Sequence, residues 1–168
     1  VSTDAVVGVS ASVRPPYTLG ALAGAKDAGA LTIAVVAVEG SELGRLADHE
    51  VAVVVGPEVL AGSTRLKAGT AQKLVLNTIS TVTMIRLGKT YKNLMVDVRG
   101  TNEKLRVRIE RIVRLATGAE PDAVDAALAA AGGDAKVAIV SLLAGVDSEA
   151  ARARLASADG NVRTALEG

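Results

Sequence analysis

The chain has 168 residues, enough for one domain or for a compact domain with a small helical appendage. Hydrophobic residues make up 49% of it, which excludes a disordered chain, yet there is no Phe or Trp and only two Tyr, so Ala, Val, Leu and Ile must build the core and little aromatic surface is offered to stacked bases. A net charge of +1 gives no field that would steer the chain to nucleic acid or anionic lipid, and the lack of Cys excludes disulfides, thiolate chemistry and cysteine-held zinc. No apolar run approaches the roughly 20 residues of a membrane span, and the expected location is the cytoplasm.

The β-branched run 5–9 predicts a strand only four residues after Val1, which reads as a cut through a sheet. A polar turn from Ser10 to Tyr17 leads into a helical pattern through Leu19, Leu22 and Lys26 that stops at Gly29. Residues 31–38 form an apolar run without alternation, the mark of a parallel strand buried on both faces. A short helix through Leu43 and Leu46 and a third run, 51–55, follow. Strand, helix, strand, helix, strand at this spacing is α/β with a parallel sheet, whose ligands bind beyond the carboxyl ends of the strands. The loops 10–17, 39–41 and 56–67 are therefore the candidate site.

Ser63 is placed to cap a long helix whose stripe runs through Ala71, Leu74, Val75, Ile79, Val82 and Ile85. Residues 91–98 read as an extended connector, Thr101 as the cap of a helix ending at Gly118, and the arginines of that helix, interleaved with Glu103 and Glu110, as a solvated face. From Pro121 onward, stops at Gly132-Gly133, Gly145 and Gly160 delimit short Ala-rich helices that predict a small bundle. The expected division is 1–118 and 119–168.

Several motifs are discarded. Gly88-Lys89-Thr90 imitates the end of a P-loop, but the position five before Gly88 is Thr83, in mid-helix. His49 is the only histidine and has no second ligand of its kind, so neither a metal site nor a Ser/His/Asp arrangement is expected. What remains is Ser10-x-Ser12 after the first strand, Glu58 after the third, and the turn Gly62-Ser63-Thr64-Arg65-x-Lys67. Either Ser63 simply caps a helix and the cations are solvated, or hydroxyls, free N–H groups and cations converge on a phosphate, with Glu58 binding sugar hydroxyls or moving a proton.

Gly56-Pro57-Glu58 continuing through residues 62–77, then Met84-Ile85-Arg86-Leu87-Gly88-Lys89, Asn93 to Val98 and Thr101 to Leu105, resembles the N-acetylmuramic acid 6-phosphate etherases, members of the sugar isomerase (SIS) domain superfamily. Residues 136–140 and 142–147 resemble that family's tail, and Ser41-x-Leu43 with Ala47-Asp48 the general SIS pattern. The resemblance implies a cytoplasmic bacterial lyase of cell-wall recycling, working without metal or cofactor. It removes D-lactate from N-acetylmuramic acid 6-phosphate by elimination and re-addition of water, leaving N-acetylglucosamine 6-phosphate. It implies that Ser10 and Ser12 belong to the second phosphate loop, that Ser63, Thr64, Arg65 and Lys67 face the ligand, and that Glu58 is the acid beside them.

Two departures stand out: where the SIS loop reads Ser-x-Ser-Gly-x-Thr, this chain has Val13 and Pro15. Valine resists the open backbone of glycine, and proline lacks both the hydroxyl and the N–H. The resemblance covers roughly the second half of such an enzyme, so the family's two acid and base glutamates would precede Val1 and no catalytic residue is assigned here. The expectation is thus an incomplete three-layer SIS sandwich with a helical bundle, dimeric through its long helices, and inactive alone as a lyase. The alternative is a non-catalytic sugar-phosphate sensor resembling the glucokinase regulatory protein.

Overall fold

The computed structural model describes residues 3–12 and 14–168, and the chain divides into two compact units, Val1–Ser80 and Thr81–Gly168. In the first, β1 (Ala5–Ser10), β2 (Leu31–Val36) and β3 (His49–Ala52) form a parallel sheet in that order. Ser10, Val36 and Ala52 are partners in register, so the three strands end at one edge. Helices α1 (Pro16–Asp27) and α2 (Glu42–Leu46) pack on each other and on the strands, enclosing Leu22, Ala34, Val36 and Leu43. Because strand side chains alternate, Val9, Val35 and Val51 lie side by side on the opposite face, where Val35 is fully buried and the other two are half-buried.

The third strand is shorter than residues 51–55 and starts earlier, at His49. It begins there because Asp48 ties it to β2: its carboxylate accepts from the Thr32 N–H at 2.9 Å and the Thr32 hydroxyl at 2.7 Å, while Lys26 lies 3.0 Å from its other oxygen. The Thr32 hydroxyl also accepts from the Asp48 N–H at 3.0 Å, so a fully buried threonine is satisfied. These bonds, Thr32 first, hold the Asp48 carboxyl well below the usual carboxylate range. After Val53, whose N–H still reaches the Val36 carbonyl at 2.8 Å, the chain leaves the sheet.

The second unit takes in the end of α3 (Lys67–Arg86), a hairpin of β4 (Thr90–Tyr91) and β5 (Leu94–Met95), and helices α4 (Glu103–Thr117), α5 (Pro121–Ala130), α6 (Ala135–Ala144), α7 (Ser148–Ser157) and α8 (Val162–Glu167). Helix α6 is apolar on nearly every side and packs against α4, α5, α7 and α8, with Val137, Ala138, Ile139 and Val140 all buried. Its ends are fixed by Asp134, which accepts from the N–H groups of Lys136 and Val137, and by Gly145 in the left-handed region. Helix α4 buries Ile109, Ile112, Val113 and Ala116 in the same core, so it is compact with residues 81–168, whereas the patterning divides the chain at 118. Its cap is Asn102, whose side chain accepts from the Leu105 N–H, in place of the expected Thr101.

Helix α3 departs most from its patterning. Only Ala68 is buried along it, and of the predicted stripe Leu74 is 55% exposed and Ile85 50%. Ala71, Gln72, Val75 and Ile79, half-buried, mark its inward side.

Candidate functional site

All three candidate loops leave the first unit's sheet at its carboxyl edge. With adjacent strands about 4.8 Å apart, the exits of β1 and β3 are about 10 Å from each other.

The loop after β1 is shaped by Ser10. Its hydroxyl accepts from the Ser12 N–H at 3.1 Å and donates to the Ser12 carbonyl at 3.2 Å, closing a tight turn that uses up the local bonding of a nearly buried side chain. Ser12 is exposed. Val13 lies outside the described residues, and Arg14 reaches Glu42 at the start of α2, 3.0 Å away. Pro15 and Pro16 start α1 with no side-chain cap, as the replacement of a threonine hydroxyl by proline requires. Tyr17 follows, 88% exposed.

The middle loop is tied down. Gly40 donates its N–H to Glu50 at 3.0 Å, Arg45 donates to the Gly40 carbonyl, and Ser41 caps α2 through the Gly44 N–H. Glu50 lies so close to α2 that a Cβ on Gly44 would stand 2.0 Å from its carboxylate oxygen, so residue 44 must be glycine for this arrangement. The sequence patterning missed Glu50, because a carboxylate reaching from a strand back to a neighbouring loop leaves no local signal.

The third loop carries the main finding. Helix α3 begins at Lys67, four residues beyond Ser63, and its first N–H groups are met by Glu58: the two carboxylate oxygens accept from Lys67 at 2.9 Å and from Ala68 at 3.0 Å. The N–H bonds of Ala68 and Lys67 hold the Glu58 carboxyl below its usual value. Ser63 is therefore not the cap; residues 63–66 wind through a turn in which the Leu66 N–H reaches the Ser63 carbonyl at 3.2 Å and the Gly69 N–H reaches the Thr64 carbonyl at 2.8 Å. Thr64, Arg65 and Lys67 are exposed and Ser63 is half-buried, and of these the Lys67 charge acts on the bound carboxylate. The start of α3 is thus capped by a carboxylate of the same loop. One turn on, the Gln72 side-chain nitrogen is buried with no hydrogen-bond partner among the described residues, a second group the patterning missed.

Comparison with known proteins identifies the lineage of this arrangement. Over 138 residues, 82% of the chain, the sequence is 67% identical to the N-acetylmuramic acid 6-phosphate etherase of Rubrobacter xylanophilus, 46% of which is covered. It is 62% identical over 138 residues to that of Streptomyces avermitilis, with 82% of the chain and 44% of the relative covered. Against that of Mycolicibacterium smegmatis it is 56% identical over 137 residues, with 82% and 46% covered. The chain belongs to the N-acetylmuramic acid 6-phosphate etherase family. No family model matches it. It spans about half the length of the curated etherases it matches. Among the described residues, no single helix of this etherase-family chain is long and apolar enough to cross a membrane.

Proposed function

We propose that this chain is the later half of a cytoplasmic SIS-type etherase that cleaves the D-lactyl ether of N-acetylmuramic acid 6-phosphate. The single observation that carries the reading is the start of α3, where two backbone N–H groups and the charge of Lys67 meet a carboxylate, with Arg65 two residues earlier in the chain. In the proposed site the Ser10–Ser12 turn and the residues Ser63, Thr64, Arg65 and Lys67 hold the sugar phosphate, and Glu58 either binds sugar hydroxyls or yields its place on α3 to an anion of the ligand. The three-layer sandwich is completed by the remainder of the enzyme, which also brings the groups that remove and return the proton. Lactate leaves by elimination, and water adds to the unsaturated sugar without a metal or cofactor. Two copies associate through α3, whose exposed Leu74, Val82 and Ile85 would thereby be covered.

The test is D-lactate release from N-acetylmuramic acid 6-phosphate. A fusion of this chain to the preceding half of the Rubrobacter etherase is expected to release lactate, and this chain alone is not. Tight hexose phosphate binding without lactate release by the fusion would overturn the lyase reading in favour of the sugar-phosphate sensor.

A further inference from the structure

The outer side of α4 and α5 is a surface to which the sugar-phosphate reading gives no role. On α4, Lys104, Arg108, Arg111 and Arg114 follow one another at spacings of three and four, so they share one side of the helix, and all four are exposed. Val107 and Leu115 lie in the same stripe, 54% and 56% exposed. The opposite side of the helix is the buried row of Ile109, Ile112, Val113 and Ala116. Helix α5 buries Val124 and Leu128 and turns Asp122, Asp125, Ala126 and Ala129 outward, with the exposed Glu120 just before it. Between the two helices runs a groove of about 300 Å³, lined by Val107, Arg111 and Arg114 from α4 and by Pro121 and Asp125 from α5.

The charges of this surface are segregated and uncommitted. Among the described residues none of the four α4 cations, and none of Glu120, Asp122 and Asp125, takes part in an ion pair. The one pair here is Arg106 with Glu103, 3.8 Å apart and exposed.

That balance restricts what can cover the surface. Residues 103–125 carry five cations and five carboxylates. A polynucleotide or an anionic bilayer would meet the α5 carboxylates as readily as the α4 cations, and a polycation would meet the reverse. The fitting partner carries both signs in separate rows, and the chain's own surface is such a partner. Rotation by half a turn about an axis along the groove lays α4 of one copy on α5 of the other. Arg111 and Asp125 line the same groove, so each then faces the other across the contact, twice. The small exposed Ala126 and Ala129 leave room for Val107 and Leu115. Packing α4 on α4 would instead bring cations together.

We propose that two copies of this chain join through the α4–α5 face, Arg111 of each held by the partner's Asp125. The contact is separate from the one through α3 and does not rest on the sugar-phosphate reading.

Sedimentation of the full chain carrying Leu74→Glu and Ile85→Glu, which removes an α3 contact, isolates this one. A dimer is expected at about 100 μM in low salt, and raising salt from about 20 to about 500 mM should weaken it at least about tenfold. Arg111→Glu or Asp125→Arg, added singly, should give a monomer with unchanged circular dichroism. Mixing the two singly reversed proteins should restore the dimer, because every reversed residue then meets an opposite charge, a result that a lost fold cannot produce. In the parent chain the same reversals should lower the mass and the mixture should restore it. Arg163→Glu, on α8, should change nothing. The proposal fails if the starting protein stays monomeric up to about 1 mM, if single reversals leave the mass as it was, or if the mixture does not associate.

Discussion

Glu58 takes the capping role that the sequence context gives to Ser63. Its position after the third strand marks it as a ligand-facing acid, while Ser63 looks like the helix cap; in the structure the carboxylate caps the helix and the serine winds through the preceding turn. A cap nine residues upstream is invisible to a rule that looks at immediate neighbours, though the anion preference of the helix start is legible from Arg65 and Lys67. Glu58→Gln keeps only one acceptor for two donors and removes the charge, so the variant should melt a few degrees below the parent. The folded-state carboxyl sits below its unfolded value, so this advantage of the parent is fully present above about pH 5 and disappears as pH falls through the folded value; melting both proteins at neutral and at acidic pH measures it. Inorganic phosphate should raise the melting point of Glu58→Gln more than that of the parent, since the helix start is then open. Thr32 makes a second case, missed because its partner Asp48 lies 16 residues away. Thr32→Val leaves the Asp48 N–H and carboxylate without the hydroxyl and should cost about 1–3 kcal/mol in urea unfolding.

At the scale of elements, helices were readable and their packing only partly so. Caps and stops such as Asp134, Gly118 and Gly145 are local chemistry, and the structure places helix ends at each of them. The uniform apolarity of α6 likewise signals its burial on all sides, and Ile139→Ala should destabilise the second unit by about 2–5 kcal/mol, measured by denaturant unfolding. Helix α3 shows the limit. Periodicity says that a stripe wants burial but not by what, and here the residues at 74, 82 and 85 stay exposed. From Leu74 to Ile85 the helix carries no charge at all, unlike a helix meant to face water. If the proposed dimer forms through it, Leu74→Glu combined with Ile85→Glu should convert dimer to monomer in sedimentation, whereas an unchanged mass would remove α3 from the interface.

For the molecule as a whole, α/β class and a parallel sheet follow from strand spacing and from the unbroken apolar run at 31–36, because neither depends on distant partners. The strands' common carboxyl edge also follows, since parallel strands joined by helices all run the same way, whereas the order β1-β2-β3 comes from the structure. The grouping of α4 with the helices after it was not legible: a helix with one apolar stripe can serve either neighbour, and its choice is settled by the shape of the Val113, Val124 and Ile139 core.

The distribution of the two tyrosines has a practical consequence. With no tryptophan in the chain, near-ultraviolet emission comes from phenol rings alone, and each compact unit owns one: Tyr17 in the first, and in the second Tyr91, under the Lys92 ammonium 5.3 Å from its ring centre. Because Tyr17 is already in water and Tyr91 is half-buried, Tyr17→Phe leaves an emission that follows the second unit alone in an unlabelled protein.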